Sequence, residues 1–205
     1  MDEKQFRLFD FHINNVINDD DEEAKGDQKQ FIIQMFGMNE KGEKVSITIS
    51  DFKPYFFVKV ANHWTQHHAN QFLEHLKYKM GFYYKDSILQ CVLLKRKTLY
   101  GFDANTKHKF VCLEFKNTIA LNKAKKLWYK TTPKRKNDKW PRRILTKYAY
   151  GGFKTTIYES KLPPLLRYFH IHNISPSGWI ALQNLTQKNL PVRFGRKTNC
   201  KYEYN

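Results

Sequence analysis

Apolar residues alternate with polar ones, or form short runs, along much of the chain, and both patterns predict β-strands. The predicted strands cover residues 6–17, 31–38, 45–49, 54–60, 88–94 and 109–115. Helical spacing recurs in residues 65–80 and places five apolar side chains on one face, namely Ala69, Phe72, Leu73, Leu76 and Met80. Asn117 is a suitable N-cap for a second helix that extends to about Tyr129.

The order of these elements predicts an α+β fold. Strands cluster in residues 31–60, which predicts a small curved sheet. From residue 54 onward the order is strand, helix, strand, strand, helix. A further strand near residues 144–150 would complete a ferredoxin-like, RNA-recognition-like unit of the β-α-β-β-α type.

A third helix is predicted between residues 158 and 182, in the sequence YESKLPPLLRYFHIHNISPSGWIAL. Ser160 is a suitable cap, and Pro163 and Pro164 suit the first helical turn. Asn173 and the Pro-Ser-Gly turn that follows would end the helix before a new apolar run. The apolar face is predicted to contain Leu162, Leu166 and Phe169.

The chain is strongly basic, with 36 Lys and Arg against 19 Asp and Glu among 205 residues, a formal charge of +17. This excess favours a polyanionic partner, most simply nucleic acid, over a solvated surface without a partner. No run of 18 apolar residues and no apolar signal core appear in the sequence. Cys91, Cys112 and Cys200 show no C-x-x-C spacing, which predicts a reducing, intracellular setting without a disulfide framework.

The clearest concentration of cations begins in the second predicted helix, where Lys123, Lys126 and Lys130 would share one face. We call the candidate nucleic-acid-binding set the basic segment: Lys123, Lys126, Lys130, Lys134, Arg135, Lys136, Lys139, Trp140, Arg142 and Arg143. Cations neutralise phosphates and aromatic rings stack on unpaired bases. A solvated loop that Trp140 anchors to the body explains residues 131–143 equally well, whereas Trp128 is predicted to lie in the core.

Other candidate sites are weaker. His63 and His67 have a spacing that zinc could use, but no further ligand joins them, so we interpret them, with His68 and His75, as surface residues. The acidic run at residues 19–23 is interpreted as a solvated loop. The strand HKFVCLEF loosely matches an RNA-recognition motif, yet it lacks the glycine-aromatic start and is predicted to be a packed strand. Nucleophile, phosphate-loop and paired-carboxylate motifs are missing, so no catalytic residue and no metal ligand is predicted.

Several residues of the third helix and its turn follow a family pattern, namely Tyr158, Glu159, Ser160, Pro163, Leu166, Arg167, Gly178, Trp179 and Ile180. Residues 31–60, which end in DFKPYFFVKV, residues 94–117 and the closing CKYE at 200–203 agree with it in the same order. The chain thus resembles the N-terminal domain of family B, delta-like DNA polymerases of large, mimivirus-like DNA viruses. In similar proteins the exonuclease motif follows soon after the CKYE-like stretch, and this chain is expected to stop before that motif.

The resemblance implies an N-terminal, non-catalytic part of a DNA-directed DNA polymerase. Residues 1–60 would form a strand-rich OB-like layer, 54–150 the RNA-recognition-like part, and 151–205 a helix-turn-strand leading toward the exonuclease domain. The implied partners are template-strand DNA and the exonuclease and palm regions of the same polymerase, in a monomer without membrane contact. The full enzyme would use Mg²⁺, with no cofactor in this segment, at an intracellular site of viral replication.

Two other classes remain open from the sequence. One is a stand-alone RNA-recognition-like module that binds nucleic acid, and the other is a structural interaction protein whose charge is incidental. A continuation of the gene into a strand with an Asp-x-Glu motif would favour the polymerase over the stand-alone module.

Overall fold

The computed structural model describes residues 4–17, 27–98, 106–133 and 140–182. These residues divide into two units that are not consecutive in sequence. The first unit takes its described residues from 4–17, 29–53 and 162–182, and the second from 27–28, 54–98, 106–133 and 140–161.

Within the described residues there are eleven strands and three α-helices. The strands are β1 (Lys4–Ile17), β2 (Lys29–Asn39), β3 (Lys44–Ile49), β4 (Tyr55–Lys59), β5 (Ile88–Lys97), β6 (Lys107–Phe115), β7 (Tyr129–Thr131), β8 (Arg143–Leu145), β9 (Tyr148–Tyr150), β10 (Phe153–Tyr158) and β11 (Trp179–Leu182). The helices are α1 (Gln66–Met80), α2 (Thr118–Lys125) and α3 (Pro164–His172).

The first unit is built on an antiparallel sheet with the strand order β11-β1-β2-β3. Alternate side chains are buried in parts of β1 and β2, as the period-2 pattern predicts, whereas β3 is buried along all of residues 45–49. The buried residues include Phe6, Leu8, Phe31, Ile33, Met35, Val45 and Ile47. The pairing of β1 with β2 shifts by one residue between Leu8 and Asp10.

The third helix differs from its prediction at its start and in its buried face. Its N-cap is Pro163, which lacks a side-chain oxygen, so the predicted cap at Ser160 is wrong. The predicted end is confirmed, because Asn173 adopts the left-handed conformation with φ 52°.

The buried side chains of α3 are Arg167, Tyr168 and Phe169, whereas Leu162 and Leu166 are 37% and 43% exposed. Aromatic packing accounts for this orientation of the helix. The ring of Tyr168 lies 5.4 Å from Phe52, and that of Phe169 lies 4.6 Å from Phe11. The two leucines therefore do not form the predicted apolar face.

The second unit contains a sheet with the order β5-β6-β4-β10-β9. Strands β4, β5, β6 and β10, together with α1 and α2, give the ferredoxin-like order β-α-β-β-α-β, which confirms the predicted fold class. The strand that completes it is β10 rather than the predicted one near residues 144–150, which forms β8 and β9 instead. Gly151 and Gly152 have φ of 56° and 76°, and they allow the tight turn that brings β10 back along β9.

Helix α1 packs its predicted face, since Ala69, Phe72, Leu76 and Met80 are buried. The sequence HKFVCLEF forms all of β6 except its first residue, and five of its eight residues are buried, as predicted for a packed strand. No helix among the described residues is both long enough and apolar enough to cross a membrane.

Candidate nucleic-acid interface

Trp128 fixes the position of the polypeptide at the middle of the basic segment. It is fully buried, and its indole ring lies 5.9 Å from Phe56 and 5.4 Å from Tyr148, measured between ring centroids. Its Nε1 donates a 3.0 Å hydrogen bond to Thr155 Oγ1, and its carbonyl oxygen accepts one of 2.7 Å from Thr146 N. The prediction that Trp128 belongs to the core is confirmed.

Directly after Trp128 the chain forms the β7–β8 hairpin, which positions the cations at the base of the loop. Lys130 pairs with Ile144 and Thr131 pairs with Arg143, so the two cations point to opposite faces of the hairpin. Thr132 N donates a 2.9 Å hydrogen bond to the Arg142 carbonyl and extends the pairing by one step. The structure therefore brings Lys130, Arg142 and Arg143 together on one hairpin.

The predicted helical face of three lysines is only partly present. Helix α2 begins at the Asn117 cap, whose side chain accepts a 2.8 Å hydrogen bond from Ala120 N, as predicted. It ends at Lys125, and a 3₁₀ turn over Lys126–Trp128 leads into β7. The prediction that Lys130 lies on this helix is wrong, because the burial of Trp128 and the bonding of its carbonyl to Thr146 switch the chain to an extended conformation.

The cations of this surface are exposed. Lys123, Lys126, Lys130 and Arg143 form no ion pair with any residue that the structure describes. The Nζ atom of Lys123 lies 5.8 Å from the ring centroid of Tyr84, a cation–π distance.

Burial, reinforced by the charge of Lys161, lowers the pKa of neighbouring Lys125. The prediction gave no weight to Lys125 or to exposed Lys147, although both belong to the same run of cations in the sequence.

Exposed apolar side chains accompany the cations. Trp140 is 72% exposed, and Ile144 and Leu145 are 52% and 43% exposed on β8. An exposed indole two residues before Arg142 in the sequence offers a ring on which an unpaired base can stack. Four predicted members of the basic segment lie outside the described residues: Lys134, Arg135, Lys136 and Lys139.

Two of the three histidines of α1, His68 and His75, have structural roles. The imidazole of His68 accompanies Thr65 in a capping box at the helix start, with Thr65 N donating to His68 Nδ1 over 3.2 Å. His75 is half-buried and lies 2.7 Å from the Tyr148 hydroxyl, so the prediction that it is a surface residue is wrong. Among the residues described by the structure, no group of three or more His, Cys, Asp or Glu side chains could hold a metal ion.

Comparison with known proteins relates the chain to viral polymerases. It is 40% identical over 208 residues to a DNA polymerase of Phaeocystis pouchetii virus, which covers 98% of this chain and 19% of the relative. It is 23% identical to a DNA polymerase of Acanthamoeba polyphaga mimivirus, over 98% of this chain and 11% of that protein. The DNA polymerase delta catalytic subunit of Schizosaccharomyces pombe is 23% identical over 83% of this chain and 14% of its own length. No protein-family model matches the chain.

The fold agrees with these relatives. The family B DNA polymerase of the archaeon Pyrobaculum calidifontis superposes with a TM-score of 0.60 at 13% identity, over 98% of this chain and 20% of the archaeal one. The chain thus spans about a fifth or less of the proteins that it matches. The predicted resemblance to viral DNA polymerases and to a family B N-terminal region is confirmed.

Proposed function

From its homology to the DNA polymerases of large DNA viruses and its family B N-terminal fold, we propose that this chain is the N-terminal, non-catalytic part of a DNA-directed DNA polymerase. In that role it is a scaffold that also holds the template strand. The observation that carries the binding role is the β7–β8 hairpin, which carries exposed Lys130, Arg142 and Arg143, with exposed Trp140 two residues before Arg142 in the sequence.

The remaining parts of the proposal concern the whole enzyme. The complete polymerase would extend primers and proofread with Mg²⁺, and this segment would supply no metal ligand. It would pack against the exonuclease and palm regions of the same polymerase, as a monomer without membrane contact, at an intracellular site of viral replication. All 205 residues would form one N-terminal domain of that enzyme.

The physical basis for DNA binding is neutralisation of phosphates. Each lysine or arginine that contacts a phosphate releases condensed counterions, so the affinity falls as salt rises. Contacts of this kind fix the position of a strand and read little of its sequence. Trp140 would add base stacking, worth about 1–3 kcal/mol and nearly independent of salt.

Fluorescence anisotropy with a labelled single-stranded oligonucleotide, measured across a salt series, tests the proposal. For single strands the slope of log K against log salt is about −0.7 per phosphate contact. Serine at Lys134, Arg135, Lys136, Arg142 and Arg143 together is expected to flatten that slope by about two to four units. Trp140→Ala is expected to weaken binding by about 1–3 kcal/mol with little change in slope.

A charge-matched control removes five cations elsewhere on the described surface, namely Arg7, Lys41, Lys44, Lys77 and Lys79. This control is expected to change the slope less than the five-site variant does. Equal slopes in the two variants would show that binding follows net charge, and an unchanged slope in the five-site variant would identify residues 131–143 as a solvated loop.

A further inference from the structure

Like charges lie directly opposite one another where β5 ends and β6 begins, at the end of the hairpin next to the connecting segment. Lys95 pairs with Lys109 and Lys97 pairs with Lys107 in the antiparallel register. We call these four residues the lysine ladder. Like charges at directly opposed positions destabilise a sheet, so the folding of the hairpin alone does not account for this arrangement.

The ladder continues the core-facing side of the sheet. Two residues along each strand from Lys95 and Lys109, and on the same face, Leu93 pairs with Val111, which is fully buried. Because side chains alternate between faces with period 2, all four lysines project to the side on which α1 packs. Lys95, Lys97 and Lys107 are nevertheless exposed, so α1 does not cover this part of the sheet.

The N-terminal end of α1 lies next to the four lysines. The Gln66 side chain donates a 2.8 Å hydrogen bond to the Cys91 carbonyl and accepts a 3.0 Å bond from Leu93 N. Lys109 Nζ donates a 2.6 Å bond to the Trp64 carbonyl, just before the helix. These three hydrogen bonds place the N-terminal end of α1 beside the ladder.

Among the described residues, the surroundings of the ladder add positive potential and supply no ion pair to its exposed lysines. The N-terminal end of a helix carries a partial positive charge, and the first turn of α1 contains no acidic residue. Lys95, Lys97 and Lys107 form no ion pair with a described residue. Three exposed ammonium groups and a helix N-terminus therefore act on the same region of solvent.

We propose that the lysine ladder is a second binding surface for the phosphate backbone of nucleic acid, on elements distinct from those of the basic segment. Successive rungs are about 7 Å apart along the strands, so the surface presents a regular series of cations to a regularly charged polymer. Binding would relieve the repulsion between opposed lysines and would be insensitive to base sequence. The inference does not depend on the basic segment or on the polymerase assignment.

The test uses the full chain with Lys95, Lys97 and Lys107 replaced together by Gln, which keeps side-chain length and spares the Lys109 bond to Trp64. In anisotropy titrations with a labelled oligothymidylate, the salt slope is expected to flatten by about two units, at about 0.7 per lost contact. The triple Arg variant should keep the slope. A triple Gln variant at Lys41, Lys44 and Lys79 is the charge-matched control.

Two further measurements separate the alternatives. The triple Gln variant should melt at the same or a higher temperature, since it removes opposed charges, and its effect should persist when the five-site variant of the basic segment is the background. Equal slopes for the ladder variant and its control would overturn the proposal. Displacement of the oligonucleotide by polyglutamate at equal charge, as effectively as by unlabelled oligonucleotide, would overturn it in favour of an acidic protein partner.

Discussion

The side-chain amide of Asn117 donates a 2.6 Å hydrogen bond to Oδ2 of Asp27, which lies 90 residues earlier in the chain. Asn117 is fully buried and Asp27 is 8% exposed. The other end of the same amide accepts from Ala120 N and caps α2, while Ser87 Oγ donates to Asp27 Oδ2 over 3.3 Å. One side chain therefore both starts a helix and helps to satisfy a buried carboxylate.

Replacing Asn117 with Ala is expected to lower the free energy of unfolding by about 2–4 kcal/mol. Loss of the N-cap costs about 1 kcal/mol, and a buried group that loses a partner costs about 1–3 kcal/mol more. Urea denaturation followed by circular dichroism measures the change. Asn122→Ala, on the exposed side of the same helix, is the control, and equal losses in the two variants would contradict the dual role of Asn117.

Arg167 is expected to be structural. It is 4% exposed on α3 between exposed Leu166 and buried Tyr168, and a buried guanidinium needs several well-placed acceptors. Arg167→Lys keeps the charge and loses the planar fork, so it should lower the melting temperature while leaving the DNA affinity nearly unchanged. Thermal melts and anisotropy on the same preparations measure both, and a larger loss in affinity than in stability would place Arg167 in the interface.

The elements of this fold could be predicted from sequence where one physical signal dominates. The apolar face of α1 follows helical spacing, and the Asn117 cap follows from a side chain that can accept a backbone N–H. The β-α-β-β-α order follows from the order in which strand-like and helix-like spacings of apolar residues succeed one another along the chain. The distant partner of Asn117 was not predictable, because nothing local links residue 27 to residue 117.

The failures lie where tertiary contacts decide between local alternatives. The buried face of α3 is set by aromatic contacts to Phe11 and Phe52, and spacing alone does not reveal them. Lys130 could continue a helix by propensity, but the burial of Trp128 and its bonds to Thr146 and Thr155 end the helix earlier. To recognise the lysine ladder one must know which residues of β5 and β6 are paired, and the positions of the lysines in the sequence do not give that pairing.

Purified alone, the chain is expected to show neither primer extension nor degradation of single strands with Mg²⁺. The motivation is the lack of a carboxylate pair of the kind that two-metal chemistry requires. A gel assay with labelled primer–template checks this. Activity above background that disappears on substitution of a residue within this chain would contradict the prediction.

The contact between His75 and Tyr148 predicts a dependence of stability on pH. Burial, and to a smaller extent the charge of Lys79, lowers the pKa of His75 below its ordinary value. The unfolded chain then binds the proton at a higher pH than the folded chain does. Stability is therefore expected to fall as the pH drops through about 6.5, the ordinary value, and to level off below the folded-state pKa.

Urea unfolding between pH 5 and pH 8 measures this slope in the parent chain and in His75→Gln. The variant should show a smaller loss of stability at acidic pH. His67→Gln, an exposed position on the same helix, is the control and should retain the parent slope. A parent slope preserved in His75→Gln would assign the pH dependence to other groups.

Gly37 is predicted to be indispensable for the pairing of β1 with β2. It lies opposite Leu8, where the register begins to shift, and a β-carbon placed on it would lie 2.5 Å from the carbonyl oxygen of Arg7. The obstructing atom belongs to the backbone, so a side-chain movement cannot relieve the clash. Gly37→Ala is therefore expected to reduce the free energy of unfolding by about 1–3 kcal/mol in urea denaturation, within the range found for overpacked sites.

Met38→Ala, at the exposed neighbouring position, is the control and should have a smaller effect on the free energy of unfolding in the same urea experiment. If the two variants were equally stable, the strands would be able to separate at Gly37 without loss, and close approach of the two backbones could not be the reason for a glycine there.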